Sequence, residues 1–142
     1  MAARLVALRE PPISVLDCLD RWDAREILVL EDRLHPGLRG ACNLVDGRWL
    51  IILNRDDVPS QARFTLAHEL GHIVLGDLST AARGVDSAER EALCDRFAVE
   101  LLLPASALRY AWHGRPEELA LAERFQVTRR ALRRRLRELG LR

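Results

Sequence analysis

Lysine is absent from the 142-residue sequence, so that all 22 basic residues are arginine. Cysteine is scarce, with only Cys18, Cys42 and Cys94 and no Cys-x-x-Cys pair, which argues against a disulfide framework and a thiolate zinc site. No stretch approaches the roughly 18 apolar residues of a membrane span, and the first residues lack a signal-peptide pattern. We therefore expect a soluble, cytoplasmic protein that does not contact a membrane.

Charge is balanced over the whole chain but not along it. Residues 1–123 contain 14 arginines and 20 acidic residues, a net −6, whereas residues 124–142 contain 8 arginines and 1 acidic residue, a net +7. This division excludes a uniformly basic nucleic-acid-binding protein but leaves a basic C-terminal segment. The length suits one domain, and the 49% hydrophobic content is that of a globular protein.

The pattern of apolar residues predicts a helix, then short strands, then helices, which is a small α+β domain. Residues 13–22 carry one helical stripe, and residues 27–30 are typical of a short buried strand. Asp46-Gly47 separates two further strands and predicts a hairpin, so we expect a short antiparallel sheet. Helices are predicted from Pro59 to about Gly76, over about Ser87–Leu103, and in three short pieces from there to Leu141.

Two of the four histidines lie four residues apart in the segment Arg63-Phe-Thr-Leu-Ala-His-Glu-Leu-Gly-His72. On a helix, His68 and His72 project from one face, where both can reach one ion at the roughly 2 Å that zinc prefers. Glu69 would turn its carboxylate toward the open side of the metal and accept a proton from a metal-activated water. The neighbouring residues are apolar almost all round, which predicts a buried helix.

A third zinc ligand is expected from the second long helix. Asp86 and Glu89 form a capping-box pattern, which explains Glu89 structurally. Glu91 and Asp95 are four residues apart on one face. We interpret Glu91 as the third ligand and Asp95 as an outer carboxylate that accepts the other N–H of a ligand histidine.

Two alternatives remain open for this helix. The acidic pair could instead be a solvated face with Arg90 and Arg96 as its partners. Cys94 could in principle bind the metal, although we favour a small buried thiol.

These motifs resemble the ImmA/IrrE family of metallopeptidases. The family pattern is a His-Glu-x-x-His helix followed by Glu-x-x-Ala-Asn-x-Phe-Ala-x-x-Leu-Leu-x-Pro. Here the second motif is Glu91-Ala-Leu-Cys-Asp-Arg-Phe-Ala-Val-Glu-Leu-Leu-Leu-Pro104, with Cys94 in place of Ala and Asp95 in place of Asn. Ile51–Asn54 also resembles the strand before the zinc helix, so the clear match covers about residues 40–105.

The resemblance implies a zincin-like fold with Zn²⁺ on His68, His72 and Glu91 and with Glu69 as the general base. It further implies a zinc-dependent regulatory endopeptidase that cleaves or inactivates a helix-turn-helix transcriptional repressor. The main alternative is a non-proteolytic partner that relieves repression, or acts in a toxin–antitoxin pair, by forming a complex. A third hypothesis is DNA binding through the arginine-rich tail.

Substrate-facing residues are harder to identify from the sequence. An extended substrate could pair with Trp49–Asn54, which we expect to be an edge strand. Tyr110 and His113 are candidate oxyanion donors on chemistry alone, although packing or surface roles are favoured for both. Arg63 could face the site or pair with a helix acid.

The basic tail predicts two helices around a tight turn, with Thr128 as an N-cap. This arrangement resembles a helix-turn-helix, whose usual turn glycine is absent here. We favour a helical subdomain that packs on the peptidase, and we divide the chain into residues 1–105 and residues 106–142. In the DNA-binding alternative, the residues able to face phosphates are Arg129, Arg130, Arg133, Arg134 and Arg137.

Overall fold

The computed structural model of the protein describes residues 11–15, 26–77 and 87–142. The predicted helix over residues 13–22 and the capping residue Asp86 lie mostly or wholly outside these ranges. Within them, the α+β class is confirmed, since three strands precede five helices. The elements are β1 (Ile27–Asp32), β2 (Gly40–Val45), β3 (Arg48–Asn54), α1 (Pro59–Asp77), α2 (Ser87–Leu102), α3 (Ala105–His113), α4 (Glu118–Phe125) and α5 (Arg129–Glu138).

The sheet is mixed, so the prediction of an antiparallel sheet is wrong for one of its two pairings. The hairpin is confirmed: β2 and β3 are antiparallel, and Asp46 and Gly47 have the positive φ angles (50° and 76°) of a type I′ turn. β1 instead runs parallel to β3, with Ile27 opposite Trp49. Because the hairpin reverses the chain, β3 returns in the direction of β1 and fits between β1 and β2.

The central strand β3 presents its alternate residues to the helices. Ile51 and Leu53 are 0% and 6% exposed and pack in one cluster with buried side chains of α1 and α2. Pairing on both sides also means that β3 is no edge strand. The expectation of a free edge at Trp49–Asn54 is therefore wrong, and the edges of the described sheet are β1 and β2.

Helices α1 and α2 pack closely at Gly71. A Cβ atom there would lie 3.2 Å from Cys94 Cα and 3.3 Å from the Phe97 ring, so a larger residue would push the two helices apart by a few tenths of an ångström. The close approach brings the acidic face of α2 to the histidine face of α1. As expected, α1 is buried on most sides, with Leu70 and Ile73 fully inaccessible.

The C-terminal helices share the hydrophobic cluster of the strands and α1, to which they contribute Phe125, Leu132 and Leu136, each fully buried. The turn between α4 and α5 uses Gln126 in the left-handed conformation (φ 53°), a position that glycine would occupy more easily. The predicted N-cap is confirmed, because Thr128 Oγ1 accepts a hydrogen bond from Ala131 N at 3.2 Å. No helix in the described ranges is long and apolar enough to cross a membrane.

Candidate metal centre

The two histidines of α1 point their Nε2 atoms at one carboxylate of α2. His68 Nε2 lies 2.9 Å from Glu91 Oε2, and His72 Nε2 lies 3.0 Å from Glu91 Oε1. The two rings meet edge to face, with their centroids 5.0 Å apart. The fold thus brings together, from the two helices α1 and α2, the three residues predicted to be metal ligands.

Asp95 contacts the other side of the first histidine. Its Oδ1 lies 2.7 Å from His68 Nδ1, one helical turn beyond Glu91. A carboxylate in this position favours the tautomer with a proton on Nδ1, which leaves the Nε2 lone pair for a ligand role. This is the contact that the outer-carboxylate hypothesis requires of Asp95.

Glu69 lies beside the histidines and is 6% exposed. Burial is the main cause that raises the pKa of its carboxyl; the negative charge of Glu91 adds to the shift, and His68 opposes it. A carboxyl group whose pKa moves toward neutrality is well suited to accept and return a proton near pH 7. Glu69 is thus a buried carboxyl group with a raised pKa beside the two histidines.

These side chains line one cavity of about 690 Å³. Its opposite wall is the chain from Gly37 to Asn43, which includes the edge strand β2. A Cβ atom at Gly40 would lie 2.5 Å from Thr65 Cγ2 and 3.2 Å from Glu69 Oε1, so β2 lies this close to Thr65 and Glu69 only because residue 40 is glycine. The strand beside the cleft is thus β2 and not the predicted β3.

The donor set of this cavity fits a divalent metal ion. Two imidazole nitrogens and a carboxylate oxygen are ligands that zinc commonly accepts. Burial is the main cause that lowers the pKa of His72, which favours the neutral imidazole that binds metals. The residues present could therefore hold zinc without a change of fold.

Cys94 offers a different third ligand. The ligand atoms of His68, His72 and Cys94 all lie within 4.8 Å of one another. However, Cys94 is fully buried, and burial together with the nearby carboxylates raises the pKa of its thiol to about 12. Cys94 and Glu91 are thus two candidates for the third ligand, and both histidine Nε2 atoms lie within 3.0 Å of the Glu91 carboxylate.

The candidate oxyanion donors do not reach the cavity. Tyr110 is 78% exposed, His113 is exposed, and neither lines the cleft. Helix α3 is amphipathic: it buries Leu108 and Ala111, and Tyr110 and His113 lie on its exposed side. Both residues therefore have surface positions.

Arg63 does not face the site, and it does not pair with a helix acid. Its Nη2 donates to the Ile13 carbonyl at 2.9 Å, and its Nε donates to the Gln126 carbonyl at 3.2 Å. Arg63 therefore ties α1 to the N-terminal segment and to the end of α4.

Five of the eight arginines in residues 124–142 contact Glu118 or Glu138. Glu118, with a side chain only 16% exposed, lies 2.6 Å from Arg133 Nε and 3.9 Å from Arg129 Nη2, and it also contacts Arg142. Arg134 lies 3.0 Å from Glu138. Among the candidate phosphate contacts, only Arg130 and Arg137 form no ion pair with a described residue, which weakens the DNA-binding alternative.

The cavity also contains residues that the sequence analysis did not single out, among them Arg39, Gly40 and Thr65. Thr65 is 3% exposed, and its hydroxyl has no hydrogen-bond partner among the described residues. It lies one helical turn before Glu69, so the i, i+4 spacing was a usable signal. Gly40 is the first residue of β2, and Arg39 precedes it. The approach of this segment to α1 is a tertiary contact that no local sequence pattern indicates.

The fold and the site together define a metallopeptidase-type domain, and comparison with known families agrees. The chain belongs to the peptidase family described as the IrrE N-terminal-like domain, whose model matches residues 19–137. The resemblance to the ImmA/IrrE family is thereby confirmed.

A solved structure of a Mycobacterium tuberculosis transcriptional regulator has the same fold, with a TM-score of 0.73 and 19% identity over 95% of this chain. The chain spans 44% of the length of that regulator. No curated protein gives a significant match to this sequence.

Proposed function

We propose that the protein is a zinc-dependent endopeptidase that acts on a helix-turn-helix transcriptional repressor. The observation that carries the peptidase proposal is the meeting of His68 and His72 at Glu91, with the buried Glu69 in the same cavity. The choice of a repressor as substrate rests on family membership.

In this proposal, His68, His72 and Glu91 hold the ion, and Asp95 fixes the orientation of the first imidazole. A bound zinc ion supplies Lewis acidity toward the scissile carbonyl and toward a water molecule. Glu69 accepts the proton from the attacking water and passes it to the leaving amine, for which its raised pKa is suited. The edge strand β2 can pair with an extended segment of substrate along the cleft.

The replacement Glu69→Gln tests the catalytic step. The variant should keep about one zinc per chain by elemental analysis, because Glu69 is not a ligand in the proposal, and it should no longer cleave the product of a neighbouring helix-turn-helix gene. Glu100→Gln is a matched control, since Glu100 pairs with Arg96 on the surface of α2 at 3.2 Å, and it should cleave normally.

The same variant separates the proposal from a non-proteolytic mechanism. If Glu69→Gln still relieves repression, complex formation and not cleavage is the activity. Added chelator provides a second test, since it should stop cleavage by the unaltered protein.

A further inference from the structure

A second, smaller depression continues the catalytic cleft toward the C-terminal helices. It has a volume of about 280 Å³ and shares Arg39, Phe64 and Asp95 with the cleft. Its far wall is the first half of α5, including Arg130 and Arg134. We call this depression, defined by Arg39, Arg130 and Arg134, the arginine groove.

The arginine groove has more positive than negative charge. Its single carboxylate, Asp95, is held by His68 Nδ1 at 2.7 Å. Arg134 is 3.0 Å from Glu138 through its Nε atom. Arg39 and Arg130 are exposed and form no ion pair with any residue in the described ranges.

Arg39 and Arg130 differ in this respect from the arginines around Glu118. Arg133, Arg129 and Arg142 gather around Glu118, so their charges are compensated within the chain. The uncompensated charge of Arg39 and Arg130 beside the cleft therefore attracts anionic groups more strongly than the arginines around Glu118 do. Guanidinium groups favour carboxylates, with which they form paired hydrogen bonds.

The size of the groove indicates what kind of anion it holds. Pockets for drug-sized ligands have volumes of roughly 300–1,000 Å³, so a depression of about 280 Å³ is suited to one or two side chains. Phe64 and Val99 line it as well, and they offer an apolar surface to the methylene groups of a long side chain. A glutamate side chain combines both requirements.

We propose that the arginine groove binds an acidic side chain of the protein substrate, next to the segment that lies in the catalytic cleft. This inference rests on the proposed peptidase function, because the cleft is what places a peptide at the mouth of the groove. Nucleic-acid phosphates fit less well, since duplex binding needs several phosphate contacts and most tail arginines are already paired.

The test uses two peptide libraries with the same randomised centre, flanked by glutamate in one and by glutamine in the other. Full-length Glu69→Gln protein is loaded with zinc, immobilised and mixed with both libraries at low salt, so that peptides bind without being cut. The glutamate library should be retained about five-fold more strongly, the range expected for two partly exposed charge contacts.

The variant Arg39→Gln/Arg130→Gln should lose this preference, and no ion pair of the described structure is broken by either change. Arg124→Gln/Arg137→Gln is the matched control: it removes the same charge from exposed positions outside the groove and should keep the preference. Equal retention of both libraries, or an equal loss in the control variant, overturns the proposal.

Two further outcomes are informative. A DNA duplex that binds more tightly than the glutamate library, and that depends on Arg39 and Arg130, overturns the proposal in favour of phosphate binding. Absence of repressor cleavage by the unaltered protein contradicts the peptidase function, but a glutamate preference that needs Arg39 and Arg130 still supports the groove.

Discussion

The α1–α2 pair and the α4–α5 pair both concentrate ionisable residues, and they use them in opposite ways. In α1–α2, the side chains of two helices meet at a cavity that a ligand can enter. In α4–α5, the arginines close on Glu118 and Glu138 of the same helix pair. Charge density in a sequence therefore does not identify a site; what identifies it is whether the charged groups face each other or open space.

The α1–α2 pair and the α4–α5 pair also differ in how each holds a buried carboxyl group. Glu69 is 6% exposed and forms no ion pair with a described residue, an arrangement that costs stability. Glu118 is also largely buried, but several guanidinium groups surround it. A buried carboxylate without a cation partner is the stronger indication of chemistry, since folding alone would not favour it.

Removal of Glu91 should give the largest effect on the metal centre. Glu91→Ala should lower zinc affinity by more than about 100-fold, because it removes a ligand where the loss of an outer contact alone costs 10–100-fold. Cys94→Ala should keep zinc binding near that of the unaltered protein. Titration with a competing chelator measures both, and the opposite result would assign the third ligand to Cys94.

Asp95 should matter less than Glu91, since it acts through His68. Asp95→Ala should weaken zinc binding by about 10–100-fold. Asp95→Asn should recover most of the loss, because an amide oxygen can still accept the His68 Nδ1 proton. Equal losses in both variants would show that charge and not orientation is the contribution of Asp95.

The motif residues within each helix were predictable, because helical spacing places them on one face. His68 and His72 share a face at i, i+4, as do Glu91 and Asp95, so each half of the centre is local in sequence. The hairpin was predictable for the same reason, since Asp46-Gly47 specifies its own turn.

The order of the strands and the cleft wall could not be predicted in this way. The parallel pairing of β1 with β3 depends on which edge the hairpin docks against, and this is decided by packing on α1. Arg39 and Gly40 belong to the cleft only because β2 approaches Thr65 and Glu69. The arginine-rich sequence of residues 124–142 does not show that these charges are compensated. Their pairing with Glu118 depends on the packing of α4 against α5.

Replacement of Glu118 tests whether the ion pairs of α4–α5 stabilise the fold. Glu118→Ala should destabilise the fold by about 2 kcal/mol, since it leaves neighbouring guanidinium groups without their shared carboxylate. Glu138→Ala, whose side chain is 39% exposed, should cost less than about 1 kcal/mol. Urea denaturation measures both, and zinc content should stay unchanged. A loss of zinc in Glu118→Ala would contradict the separate roles of the two helix pairs.

Two glycines of α1 test how closely α1 and α2 pack, and the expected changes in stability are the smallest of those predicted. Gly71→Ala should destabilise by about 1 kcal/mol, because the new methyl group would lie 3.2 Å from the backbone of α2 at Cys94. A Cβ atom at Gly76 would have no neighbour within 4 Å among the described residues, so Gly76→Ala should stabilise by up to about 1 kcal/mol through helix propensity. The urea concentration at the midpoint of unfolding measures both changes, provided that the dependence of the unfolding free energy on urea stays the same. If both variants gain stability, the contact at Gly71 is looser than described, and the approach of α2 that places Glu91 on the histidines does not depend on it.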